Sequence, residues 1–477
     1  MRAAHQQAEG TTERIGLGPY WLGLVACLIV LGIYIATIML LGTETGKRST
    51  APPWYAWVRY PPTKTRPQAI FLVFPVLVYG GWILFIRRAI ARKMADAIVL
   101  PVAVLAVLAM NATTAMMDGG ADAIWKPFGF YLRGAEFFGD VPAVRATGII
   151  AFLRGYVHNL YHYSIHTRTH PPGPVLVLYF VSCLFGPGAA AASWAAVVIT
   201  ATAVVPFYLL VRRLAGRQIA TVAMALYVVT PSLVIYGATS MDGVTLVALL
   251  WTMYFLQRAI DKPGIGIGIM AGVSVAVSLM MSYVLVCVGT LAMIYALLEM
   301  TANRGKILSV AAWFVCVLAV PIVAFASLHK ATGFDLIKCF EASRYYDHYI
   351  MRTFHISFPR YVDISFSNLI AFLIGIGFPV VILWGRQTAL SMKFRPYWTA
   401  ADRFNIAGAI CVLVFSFVRL FTHEKERIWL FFIPPALLGA AAWIVSTGGQ
   451  SQRLREWAMG LMFMQTWLFQ LLLLTLW

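Results

Sequence analysis

An all-α, polytopic membrane protein is the fold class this sequence predicts, and three observations predict it. Hydrophobic residues make up 60% of the 477 residues, charged residues only 12%, and the mean hydropathy is +0.77. Apolar stretches of about 18–22 residues, the length of a bilayer-crossing helix, recur along the whole chain. No long hydrophilic segment is left over for a separate soluble domain. Lipid admits only helices or closed barrels, because every backbone polar group must be paired internally, and runs this long read as helices.

About 13 transmembrane helices of bilayer length are expected. They fall near residues 20–42, 68–87, 96–117, 190–211, 217–237, 243–258, 264–281, 283–300, 307–328, 366–385, 404–421, 427–446 and 456–476. The first run is long enough to stay as an anchor and has no signal-peptide cleavage pattern. A short break near Met281-Ser282 must separate two of the spans. Three regions follow. Residues 1–95 form an extra N-terminal pair of spans. Residues 96–260 form a core with a large extracytoplasmic loop, 118–189, carrying interfacial helices. Residues 261–477 form a variable region with a second outer loop at 329–365.

The net charge of +18 fits basic cytoplasmic turns and anionic lipid rather than nucleic acid. Arg87-Arg88, Arg212-Arg213 with Arg217, Arg304 with Lys306, residues 386–403, and Arg453 with Arg455 all fall on one side of this map. That side is read as cytoplasmic. The basic loop at residues 42–68 disagrees with it. The apolar run 174–185 has a short core bracketed by Pro171-Pro172 and Pro187. It is therefore read as a helix in the outer interface, not a span. Twelve of the 19 acidic residues then lie outside, so the outer face is where polar chemistry is expected.

Residues 118–174 are the polar stretch that stands out. Asp118 sits where a span leaves the membrane, and Asp122 follows it. A carboxylate there serves as a base or a cation ligand, or is an ordinary solvated helix end. His158, His162, His166 and His170 recur every fourth residue, the spacing of helical metal ligands, although H-E-x-x-H is absent. Interfacial histidines that only hydrogen-bond are the plainer reading. His170 and Arg168 precede Pro171-Pro172-Gly173, a helix start whose amides and cations suit a phosphate. Asp242 interrupts a long apolar region on the outer side. The run R-Y-Y-D-H-Y at 344–349 sets Arg344 and Tyr345 beside other rings and charges. Carbohydrate contact or an interfacial aromatic belt explains it equally well. At 423–427, H-E-K-E-R offers Arg427 as a bidentate phosphate donor with Glu424 or Glu426 to orient it, or is a set of charges snorkelling at a helix end. Lys126 is a further cation in the first outer loop. The six cysteines show neither a disulfide framework nor zinc spacing.

Taken in order, these elements resemble the GT-C superfamily of integral-membrane glycosyltransferases, in particular the bacterial aminoarabinose transferase and protein O-mannosyltransferase-like branch. The order is Asp118, the loop to His170, Pro171-Pro172 with Phe185-Gly186, Arg212-Arg213, then Ser240-Met241-Asp242. It covers roughly residues 96–260. Two departures stand out. Two extra spans precede Asp118, and Gly119-Gly120 follow it where those families place an acid or a Tyr.

The resemblance implies an inverting transfer of a sugar from a polyprenyl-phosphate donor to a glycan, lipid or protein acceptor at the extracytoplasmic face of the inner (plasma) membrane. Asp118 or Asp122 would act as general base, and Asp242 would orient the acceptor or a catalytic cation. Lys126, Arg168, His170, Arg344, Tyr345, Glu424, Glu426 and Arg427 would hold donor and phosphate. Membrane lipid is the surrounding partner. No metal ligand is assigned, and a divalent cation is the one cofactor left open. A transporter or flippase of a lipid-linked or anionic substrate, and a metal-dependent hydrolase using the histidine ladder, are the alternatives from other classes.

Overall fold

The computed structural model describes residues 18, 20–29, 57–58, 69–131, 136–238, 240–351, 357–394, 397–418 and 425–474. The chain is helical almost throughout. The one sheet among the described residues is a two-residue antiparallel pairing of Trp57–Val58 with Leu473–Leu474. Eight helices among those residues are long and apolar enough to cross a membrane, or up to nine if one bent pair counts as a span. The expected span at 20–42 is described only as Tyr20–Ile29; the rest of it lies outside the described residues.

Three expected elements differ in instructive ways. The single span foreseen at 366–385 is two helices, Ile364–Gly375 and Phe378–Lys393, bent by 104°. Gly377 takes φ 93° at the break. Pro379 then starts a new helix, since it lacks the amide needed to continue the old one. The outer loop foreseen at 329–365 is largely helical. Ile307–Thr332 ends on left-handed Gly333, and Leu336–Met351 follows. The histidine ladder is not one helix. Ile149–Asn159 stops, a turn of 3-10 helix covers Leu160–His162, and Ile165–Arg168 begins afresh.

The apolar run after Pro171-Pro172 forms the helix Gly173–Phe185, 13 residues. At about 1.5 Å per residue it reaches about 20 Å, short of a ~30 Å hydrocarbon core. Its start is buried. A Cβ on Gly173 would collide with the carbonyl of Met280, at the break between Ile265–Met281 and Leu285–Ala302. The first outer loop is thereby seated on the membrane helices. A second apolar core joins it to them, including Phe137, Phe152, Tyr156, Val175, Met241, Met281 and Phe334.

Charges sort to the two ends of the bundle. At one end the basic turns meet the acids of the helix termini. Asp96 takes Arg212 and Arg217, Asp261 takes Arg213, Glu299 takes Arg403 and Lys306, and Glu456 takes Arg87. Gly216, at φ 84°, breaks the backbone between Arg213 and Arg217. Asp118 follows the far end of the Asp96–Met116 helix, and Asp242 starts the helix that finishes at Asp261. The loops foreseen as outer gather at that far end.

Candidate active site

A cavity of about 370 Å³ opens at the end of the bundle away from the basic turns. Four segments supply most of its lining, and residues 282–284 with Val418 complete it. The first outer loop contributes Glu136, Phe137, His166, Thr169 and His170. The helix Asp242–Asp261 presents Asp242, Thr245, Leu246 and Leu249, one face at three- and four-residue spacing. The helix Leu336–Met351 presents Phe340, Ser343, Arg344, Asp347 and His348 by the same periodicity. Arg427, Ile428, Leu430 and Phe431 close the side.

The cavity is graded in polarity. Its mouth carries charged and imidazole groups. Its depth is apolar, with Leu246, Leu249, Val284, Leu430 and Phe431. Leu249 is two helical turns below Asp242, or about 10 Å at 1.5 Å per residue.

Arg427 is buried, and its Nε lies 3.0 Å from Asp242 Oδ2. Asp242 sits in the first turn of its helix, where the helix dipole favours a carboxylate. Ser240 accepts from the Asp242 backbone N–H at 3.2 Å and so helps fix the turn.

The two cavity histidines ride on a pinned turn. Asp140 accepts from the Ser164 N–H at 3.0 Å, and Ser164 caps the short helix Ile165–Arg168. The edge of Phe137 packs on both imidazoles, at 5.7 Å from His166 and 5.3 Å from His170. Burial, with Arg427 and His170 nearby, pushes His166 well below its ordinary pKa. Burial also pushes His170 down, against the pull of Asp242. Both rings are therefore neutral at pH 7. Glu136, buried beside His166 at 3.8 Å, faces a neutral ring rather than an imidazolium.

Of the residues singled out in the sequence, Asp242, His170, Arg344 and Arg427 line this cavity. Asp118 does not; its Oδ2 accepts from Gln470 Nε2 at 2.6 Å. Asp122 is exposed and accepts from Trp125 Nε1 at 3.2 Å. Lys126 Nζ lies 3.2 Å from where a Cβ on Gly119 would stand, so it shares the Asp118 turn. Arg168 turns back to donate to the Tyr163 carbonyl at 2.6 Å, with its guanidinium over Tyr161. Tyr345 is on the outward face of its helix, 57% exposed. Glu424 and the side chain of Glu426 lie outside the described residues. The helix start at Gly173, foreseen as a phosphate seat, is packed against the Met280 backbone instead.

Glu136, His166, Asp347, His348 and Tyr283 line the cavity as well. His166 was legible as one step of the ladder, and Asp347-His348 as part of the tyrosine-rich run. Nothing local in the sequence marks Glu136. Among the described residues, no group of three or more His, Cys, Asp or Glu is placed to hold a metal ion. His158 and His162 do not line the cavity that holds His166 and His170.

A helical membrane bundle with loops folded over a cavity at one end is the fold this chain shares with two solved structures. Residues 169–328, which include His170, Asp242 and Tyr283, match the family model described as dolichyl-phosphate-mannose-protein mannosyltransferase. The chain is similar to ArnT from Cupriavidus metallidurans bound to undecaprenyl phosphate, with a TM-score of 0.50 and 14% identity over 74% of this chain and 61% of that one. It is also similar to the Archaeoglobus fulgidus oligosaccharyltransferase in complex with zinc and sulfate, with a TM-score of 0.51 and 12% identity over 79% of this chain and 53% of that one. The chain thus spans between about half and three fifths of those proteins' lengths. No curated protein matches it.

Proposed function

We propose that this protein transfers a sugar from a polyprenyl-phosphate donor to an acceptor hydroxyl at the extracytoplasmic face of the membrane. One observation carries the reading: a single cavity joins a charged mouth to an apolar depth along the Asp242–Asp261 helix. That is the polarity profile of a lipid-linked sugar phosphate, whose chain belongs in hydrocarbon and whose head belongs at the interface. ArnT from Cupriavidus metallidurans is known bound to undecaprenyl phosphate, a ligand of this chemical class.

Arg427 and Arg344 both line the cavity. Their guanidinium groups are suited to the phosphate that leaves as a dianion. Asp242 orients the acceptor beside Arg427. In the inverting displacement, a carboxylate takes the acceptor's proton as its oxygen bonds to the anomeric carbon. The bond to the phosphate oxygen breaks and its electron pair leaves with the polyprenyl phosphate. Asp118, with Asp122 as its alternative, is the base the motif order implies. It stands outside the cavity wall, on the loop after the Asp96–Met116 helix, where its Oδ2 accepts from Gln470 Nε2.

The test is transfer by purified protein, in detergent or nanodiscs, from a panel of radiolabelled polyprenyl-phosphate sugars to a membrane extract. Product from at least one donor, lost in Arg427→Ala, is the expected result. A protein that neither binds polyprenyl phosphate nor transfers from any donor would overturn the reading.

A further inference from the structure

The turn that carries His170 has an unusual hydrogen-bonding problem. In a continuing helix the carbonyls of Thr167 and His170 would accept from residues 171 and 174. Both are proline, and neither has an N–H to give. The Thr167 carbonyl takes the His170 N–H at 3.3 Å instead, and the buried phenol of Tyr156 supplies the donor that the His170 carbonyl lacks. Its hydroxyl lies 3.1 Å from the Thr167 carbonyl and 2.9 Å from the His170 carbonyl. Phe152, Tyr163 and Phe334 pack around the ring and leave it one position.

The tautomer of His170 follows from its partners. Nδ1 lies 2.9 Å from the carbonyl oxygen of His166. A carbonyl only accepts, so Nδ1 carries the proton. The Thr169 hydroxyl also donates to that carbonyl, at 3.1 Å, so its hydrogen is not available to Nδ1. In the neutral ring this leaves Nε2 as a bare acceptor. A bare acceptor repels a phosphate oxygen and takes a hydroxyl hydrogen.

We propose that His170 reads a hydroxyl of the sugar or the acceptor through Nε2, and does not bind the phosphate, and that Tyr156 is the positioning residue that sets it. This rests on the glycosyltransferase reading and deepens it. The cavity mouth then divides its labour. Arg344 and Arg427 address the anion, and the pinned histidine turn addresses a neutral sugar-type hydroxyl. His170 is protonated in acid, which abolishes the acceptor, so recognition weakens as pH falls. The charged groups facing it are Asp242 and Arg427, with His166 on its own turn.

The experiment compares wild type, His170→Ala, Tyr156→Phe and the double variant. Two ligands are used: polyprenyl phosphate without sugar, for binding, and the sugar-bearing donor, for transfer. His170→Ala is expected to reduce transfer by about 10- to 100-fold, the effect of losing one well-placed partner. Its affinity for polyprenyl phosphate alone stays within about twofold of wild type. Tyr156→Phe is expected to reduce transfer by about 5- to 10-fold, and this loss disappears when His170 is already Ala, because it acts through that ring. Hydrogen exchange of the peptide spanning 165–176 should speed up in Tyr156→Phe.

A drop of tenfold or more in polyprenyl-phosphate affinity in His170→Ala would overturn the hydroxyl role. A Tyr156→Phe loss that persists undiminished in the double variant, or unchanged exchange at 165–176, would overturn the positioning role. Absence of polyprenyl-phosphate binding by wild type would instead sink the glycosyltransferase reading, and exchange would still decide the clamp.

Discussion

Arg427 and Asp242, 185 residues apart in the chain, meet as an ion pair at 3.0 Å on the wall of the cavity. The arginine side chain is 7% exposed and the aspartate 27%. The pair joins the segment before Trp429–Ser446 to the first turn of Asp242–Asp261, and it places one fixed positive charge at the mouth.

Removing that charge acts on stability and on binding. Arg427→Gln should lower stability by about 2 kcal/mol, less than for a fully buried pair because Asp242 reaches solvent. Polyprenyl-phosphate affinity should fall by about 10- to 100-fold. Asp242→Asn should keep most phosphate affinity and lose transfer. Thermal unfolding in detergent and direct binding separate the two effects.

The two aspartates of the first loop, Asp118 and Asp122, should separate by function. If Asp118 is the base, Asp118→Asn loses transfer by at least about a hundredfold with donor binding kept. Asp122→Asn, at an exposed carboxylate bonded to Trp125, then stays near wild type. The reverse order would assign the base to Asp122. Robust transfer by both variants would remove the role from this loop and leave the carboxylates of the cavity itself.

Gly173→Ala should damage assembly more than its one methyl suggests. The added carbon meets the Met280 backbone, which has no side-chain freedom to yield. Overpacking of this kind costs about 1–3 kcal/mol or more. A lower thermal midpoint and faster proteolysis of the first outer loop are the readouts. An unchanged midpoint would show that the Gly173–Met280 contact does not hold the loop down.

Acid should weaken the protein through its two half-buried histidines. His166 and His170 bind protons less readily folded than unfolded, where the ordinary value is 6.5. The unfolded chain therefore takes up more protons as pH falls below about 6.5, and stability drops from there towards the folded-state pKa values. Above that pH the two groups no longer make stability vary. Thermal midpoints between pH 5 and 8 should show the slope, and His166→Gln should flatten it.

Much of the architecture was legible in the sequence because it rests on local chemistry. Apolar run length selects helices in lipid, and eight helices among the described residues, from Ile70–Ala91 to Trp429–Ser446, are long and apolar enough to cross it. The short core at residues 174–185, bracketed by prolines, already said that this helix could not span. Basic turns beside Arg212-Arg213 and Lys306 are likewise a property of composition, and they share one end of the bundle. Breaks that depend on one residue's φ were less visible. Gly377 gave no signal that the 366–385 run would fold into two helices.

The site divides in the same way. By itself the sequence marked a polar loop, Asp242, Arg344 and Arg427 as candidates, among others such as Asp118 and Arg168, since charge in an apolar chain is costly. Only the tertiary structure decided which of them meet. Asp242 finds Arg427 and Glu136 finds His166, while Asp118 turns to Gln470 and Arg168 to its own loop. The state of the histidines was decided there too, because burial sets their charge and the His166 carbonyl sets the tautomer of His170. Such pairings come from helix packing between segments far apart in the chain, and residue spacing along one segment does not encode them.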